Sequence, residues 1–243
     1  MVGSPAGYRR PRIAVYDAPR RGLPLETIAM SRSLATLVLL VLSGCGQRPV
    51  ESILADADFR FEHGDYAEAR QEYAQATARQ PGRWWAHYRL GLCLIELDRP
   101  GDARLALEIA HTQNAREPRI VESLAEAMLQ QGDDVELFAF LKREAETAQT
   151  VDAYLRLARY ADLVGDPDSA RAALDTAIVI DDGRTVEPYL QAAAFSQRLG
   201  DMDEAVRRLS QAYFINPRDR RVSKRLRELG EVPGPTIGVP PGR

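Results

Sequence analysis

Glycine followed by aspartate recurs along this 243-residue chain at Gly64-Asp65, Gly132-Asp133, Gly165-Asp166 and Gly200-Asp201, and Asp98-Arg99 stands one period after the first pair. Fourteen residues before each mark lie Val50, Trp84, Pro118, Val151 and Val186, separated by 34, 34, 33 and 35 residues. A fixed period of this length constrains the fold more than any other feature. One such unit cannot bury its own apolar face, so units must stack side by side into a continuous core.

Each unit reads as two helices. The glycine ends the first by taking a left-handed conformation, and the aspartate after it is placed to cap the second. Pro100 and Pro167 follow where a missing N–H costs nothing. Small residues recur at the eighth position of the first helix: Ala57, Gly91, Ala125, Ala158 and Ala193. Second helices carry Ala69, Ala103, Ala170 and Ala205 at the twentieth position. Tyr73, Leu107, Leu141, Leu174 and Leu209 come four residues later, and Ala76, Ala110, Ala177 and Ala212 three after that. The 20/24/27 spacing puts them on one helical face. Alanines let helices approach closely, and the larger residue fills the space between units.

This pattern resembles the tetratricopeptide repeat, over residues 50 to about 217, with Leu90-Gly91 at positions seven and eight and Pro81 and Pro217 at position thirty-two. The resemblance implies an all-α fold, an α-solenoid of about five helix-turn-helix repeats. Repeat one departs from it at Asp56 and Arg60, with Ile53, Ala57 and Phe61 as an alternative apolar stripe. Repeat three has Leu137 and Glu144 in place of alanines, so its second helix is expected to pack loosely or end early. Val222, Leu226 and Leu229 then give a C-terminal capping helix an apolar edge. The repeats and cap make a domain over 50–230. Residues 231–243 hold four prolines and three glycines and read as a disordered tail.

The resemblance further implies a concave groove lined by positions two, five, nine, twelve and thirteen of the first helices, holding a protein or peptide ligand. Those positions nominate Trp85, Tyr88, Leu92 and Ile95 in repeat two, and Arg119 in repeat three beside Glu122 and Leu129. Repeat four contributes Leu155 and Arg159, and repeat five Leu190 and Arg198. Aromatic and aliphatic side chains with a few arginines suit an extended segment or helix with apolar anchors. A purely structural role, in which Trp85 and Tyr88 pack on the first repeat, stays open. The Lys- and Asn-rich carboxylate clamp of relatives that bind Hsp70 or Hsp90 is missing, so no ligand of that type is expected.

Ahead of the repeats, Leu34–Leu42 is an apolar run of nine residues, too short for a membrane-spanning helix of about 20. It has the length of a signal-peptide core and follows Arg32. The sequence Leu42-Ser43-Gly44-Cys45 resembles the lipobox of bacterial lipoproteins. That resemblance implies a signal peptide over 30–44, cleavage before Cys45, lipid on Cys45 and a tether over 45–49. Gly46 stands where Asp retains such proteins in the inner membrane, which favours the outer membrane and a periplasmic location. Residues 1–29 hold five arginines and four prolines without a period. They read as a disordered or over-extended start, with Met30 as the alternative initiator.

Removing residues 1–44 would leave a net charge of −7, against −3 for the whole chain. No basic field draws in nucleic acid, and membrane attachment would rest on the lipid. Cationic residues are almost all Arg; Lys142 and Lys224 are the two lysines, and neither follows a phosphate-binding loop. His63, His87 and His111 fall at different phases of the repeat, so no metal site is expected. Cys93, between Leu92 and Leu94, reads as a buried thiol. No catalytic constellation or cofactor motif is present, so an enzyme is not expected. These readings point to an envelope scaffold that binds another protein, in assembly of an envelope, pilus or secretion complex. A cytoplasmic adaptor without the anchor, or a non-catalytic subunit of an enzyme complex, stays open.

Overall fold

The structure, a computed structural model, describes residues 48–241. The lipobox, Cys45 and the proposed signal peptide lie outside the described residues. Eleven helices follow one another, with no strand among the described residues. First helices are α1 (Val50–Glu62), α3 (Trp84–Glu96), α5 (Pro118–Gln131), α7 (Val151–Leu163) and α9 (Glu187–Arg198). Second helices are α2 (Tyr66–Arg79), α4 (Pro100–Gln113), α6 (Asp134–Ala148), α8 (Pro167–Asp181) and α10 (Met202–Ile215); α11 spans Arg220–Glu228. Four first helices begin on the repeat boundary itself, and α9 one residue after it. The chain is thus an α-solenoid of five helix pairs closed by a capping helix.

The turns follow the expected chemistry in part. Gly64, Gly132, Gly165 and Gly200 have φ between 73° and 82°, and Asp98 takes the same left-handed conformation at 55°. Asp166 and Asp201 cap their helices through the N–H groups of Ser169 and Glu204, each at 3.1 Å. Asp65 and Asp133 make no capping bond. Asp133 instead accepts from Arg104 at 3.0 Å, a charge-assisted bond that competes with the cap.

The alanines at positions twenty and twenty-seven are buried wherever they occur, and so are the larger residues between them. At Gly91, the glycine among the eighth positions, a Cβ would sit 2.5 Å from Cγ of Leu107. Buried side chains form two clusters, one over repeat one and part of α3 around Tyr73 and Cys93, the other running from Leu94 to Leu226. Burial pushes the Cys93 thiol up to about 12. His87 is buried with its ring nitrogen 3.0 Å from the Pro81 carbonyl. Val222 and Leu226 seal the last pair.

Repeat three differs in a specific way. Its second helix does not end early, since α6 runs to Ala148. Leu137 is buried at the position alanine holds elsewhere, and Ala145 takes over the role lost at Glu144. A cleft of about 420 Å³ lies between α4, α5 and α6, with His111 and Phe140 packed edge to face along its wall.

The tail is not free. After Gly230 the chain turns at Gly234–Ile237, where the Ile237 N–H donates to the Gly234 carbonyl at 3.2 Å. It then returns along α10: Val239 N–H donates to the Ser210 carbonyl at 3.2 Å, Ile237 packs on the larger cluster, and Pro241 lies against Gly183. The proline-rich composition excludes a helix but not docking, because a chain fixed in φ has less entropy to lose on ordering.

Candidate partner-binding groove

First helices of successive repeats lie side by side, and ion pairs show which of their residues share a surface. Arg83 reaches Glu51 at 2.7 Å, and Arg89 approaches Asp58 at 3.9 Å. Arg156 and Arg159 both close on Glu122, at 3.0 and 2.5 Å. Arg198 pairs with Asp162, and Arg221 with Glu187 at 2.9 Å. Apart from Arg83, which stands just ahead of α3, every pair joins one repeat to the next through positions assigned to the concave face, or through their immediate neighbours. The step between α3 and α5 is the exception: no ion pair among the described residues joins those two helices.

At that step the surface is apolar. Tyr88, Leu92 and Ile95 of α3 and Leu129 of α5 are all half-buried, neither sealed in the core nor fully in water. Tyr88, Ile95 and Leu129 lean on the larger cluster, while Trp85 packs on the cluster of the first repeat. Trp85 thus carries the structural part of the paired reading, and Tyr88 is free of the first repeat. Leu155 and Leu190 are each only 6% exposed. They back the groove and present almost no surface to a ligand. Leu155 still forms part of the wall of a concave pocket of about 250 Å³, with Glu122, Asp152, Arg156, Arg159, Glu187 and Gln191.

The nominated arginines are committed within the chain. Arg159 and Arg198 close on carboxylates of the preceding repeat, and Arg119 holds Glu117 at 2.7 Å. Glu122 is the hub. Burial works against its charge, but Arg159, the Tyr160 hydroxyl at 3.0 Å and Arg156 outweigh that and hold its carboxyl below the usual range. Tyr160 responds in the opposite sense, its hydroxyl raised by burial and by the neighbouring carboxylate. Sequence spacing had put these residues on one face without showing that they neutralise one another. The signal available was the acid–base alternation at Glu122, Arg156 and Arg159, separated by 34 and 37 residues. Among the described residues, no group of three or more His, Cys, Asp or Glu side chains is placed to hold a metal.

The tetratricopeptide repeat family matches residues 60–126, from the end of α1 into α5. The described helices also resemble several solved structures. The fold is a tetratricopeptide-repeat solenoid. A crystal structure of the MamA protein matches with a TM-score of 0.53 at 19% identity, covering 74% of this chain and 94% of that one. PilW, described as a widely conserved type IV pilus biogenesis factor, matches at 0.53 and 18%, covering 80% and 90%. PilF of Pseudomonas aeruginosa matches at 0.50 and 18%, covering 81% and 89%. No curated protein shows significant sequence similarity to the chain. At these identities the likeness concerns the arrangement of helices alone.

Proposed function

We propose that the chain is a lipid-anchored scaffold of the bacterial cell envelope, holding a segment of another envelope protein in the concave groove of its tetratricopeptide solenoid. The observation that carries the binding part is the half-buried strip of Tyr88, Leu92, Ile95 and Leu129 at the one first-helix step not closed by an ion pair. Stacked repeats expose such surfaces as extended binding faces, and aromatic side chains in them act as anchors. Leu42-Ser43-Gly44-Cys45 supports the anchor, with lipid on Cys45 and an orientation toward the periplasm at the outer membrane. The shared fold of a type IV pilus biogenesis factor supports a role in assembling an envelope complex.

A photoreactive residue at position 88, crosslinked in cells and followed by mass spectrometry, identifies the partner. Tyr88→Ala then weakens capture by about 1–2 kcal/mol, as loss of an aromatic anchor does, and leaves the melt nearly unchanged. A melt lowered by roughly 3 kcal/mol or more, the cost of truncating a core aromatic, refutes the groove role. Metabolic labelling with an alkynyl fatty acid marks the wild type and not Cys45→Ser; equal labelling of both removes the anchor.

A further inference from the structure

We infer that the groove selects a cationic partner: a segment with aromatic or aliphatic anchors flanked by Lys and Arg. This deepens the groove reading above and rests on it. What selects the partner is the charge left over after the chain has satisfied itself.

Every arginine nominated for the groove is closed on a carboxylate of this same chain: Arg119 on Glu117, Arg159 on Glu122, Arg198 on Asp162. A ligand carboxylate would have to share those guanidinium groups with partners already in place. Carboxylates on the same face are not all so used. Among the described residues, Glu96, Glu126 and Asp152 have no basic partner. Glu126 accepts a neutral bond from Gln130 at 2.9 Å, which leaves its charge uncompensated.

Their place on the groove follows from the ion pairs. Arg198, at position thirteen of its repeat, reaches the preceding repeat across the concave face, and Glu96 is position thirteen of repeat two. Arg159, at position nine, reaches Glu122, and Glu126 is position nine of repeat three. Asp152 lines the concave pocket with Glu122 and Arg159. Glu96 and Glu126 therefore flank the step where Tyr88, Leu92, Ile95 and Leu129 form the apolar strip. Apolar side chains of a partner fit that strip, and its cations meet carboxylates that nothing else neutralises. Complementarity of this kind steers encounter and sets specificity. An acidic partner meets both the free carboxylates and arginines already occupied.

A phage-displayed library of random 16-residue segments, panned on the immobilised full chain, tests this at low salt. Recovered segments are expected to carry Lys and Arg beside Leu, Ile, Phe, Tyr or Trp. The triple variant Glu96→Gln, Glu126→Gln, Asp152→Asn binds those segments about tenfold more weakly, from three exposed pairs each of modest worth. Glu68→Gln with Glu146→Gln, exposed changes on second helices, leaves binding unaltered. Thermal melts verify that both variants fold. Recovered segments without a basic bias, still lost on Tyr88→Ala, overturn the charge inference and leave the groove reading standing. Segments that bind Tyr88→Ala as well as wild type overturn the groove reading, and recovery of none overturns both.

Discussion

Gly91→Ala adds one methyl group where α3 lies close against Leu107 of α4. The new Cβ would lie 2.5 Å from Cγ of Leu107, 2.8 Å from its Cδ2 and 3.2 Å from its Cδ1. Carbon atoms in contact prefer about 3.5–4.0 Å, so the pair must separate by roughly an ångström. The nearest atom is the branch point of a leucine, not its tip, and Leu107 is fully buried in the same cluster as Leu94, Leu124 and Leu137. Rotating it away is therefore blocked, and α3 must shift against α4. Overpacking of this kind costs about 1–3 kcal/mol. Alanine recovers about 1 kcal/mol over glycine in a helix interior. The expected balance is a net loss of about 0–2 kcal/mol. Both tryptophans, Trp84 and Trp85, open α3 itself, so their fluorescence in a urea titration reports the affected repeat. Leu107→Ala, costly alone by about 2–5 kcal/mol, costs about 1–2 kcal/mol less in the Gly91→Ala background, because the clash is then gone. A stabilised Gly91→Ala, or strict additivity of the two changes, refutes the close approach.

Three further outcomes follow from the packing and charge. Ala170→Leu or Ala205→Leu, each at a fully buried alanine, costs about 1–3 kcal/mol in chemical denaturation; neutrality at both shows the repeat register wrong there. The folded-state pKa of Glu122 is depressed, so its contribution is fully present above the ordinary carboxylate range and fades as pH falls through the lower folded value. Its side chain is 40% exposed, so Glu122→Gln is expected to cost only about 0.5 kcal/mol at pH 7, a difference that closes in melts taken at acid pH and whose persistence there excludes the ionic account. Val239→Pro removes the N–H that donates to Ser210 and should raise hydrogen exchange over residues 231–241, while the tryptophan-reported unfolding of repeat two stays unchanged because solenoid contacts run between neighbours.

The solenoid was legible because its determinants are local. Spacings of 20, 24 and 27 fix a helical face, and Gly-Asp marks where that face reverses, so the helix starts at Val50, Trp84, Pro118 and Val151 agree with the sequence to the residue. Asp98 shows that the turn imposes its conformation even without glycine. The groove was legible only as a set of positions. Position five faces inward in every repeat, yet Tyr88 is half-buried while Leu155 and Leu190 are covered. That difference depends on how far the next first helix overlaps, a quantity set by rotation between repeats and not by spacing within one. For the same reason the arginines read as free ligand groups in sequence, whereas Arg159 and Arg198 prove to be rungs between repeats and Arg119 holds the adjacent Glu117. The tail was misread because composition reports what secondary structure a segment cannot form, and docking of Val239 and Pro241 needs none.

Mechanically, the solenoid is a spring whose coils differ in stiffness. Opening or tightening its curvature slides each first helix against the next. Ion pairs across the steps from α1 to α3, α5 to α7, α7 to α9 and α9 to α11 resist that shear. The step from α3 to α5 has no such brace; repeats two and three are tied instead on the opposite side, where Arg104 of α4 meets Asp133 and Glu136 at α6. Shear at that junction is therefore opposed from the second helices and not across the apolar strip. A ligand seated on the strip would supply the brace missing between α3 and α5, so occupancy of the groove is expected to be readable as a change in end-to-end elasticity.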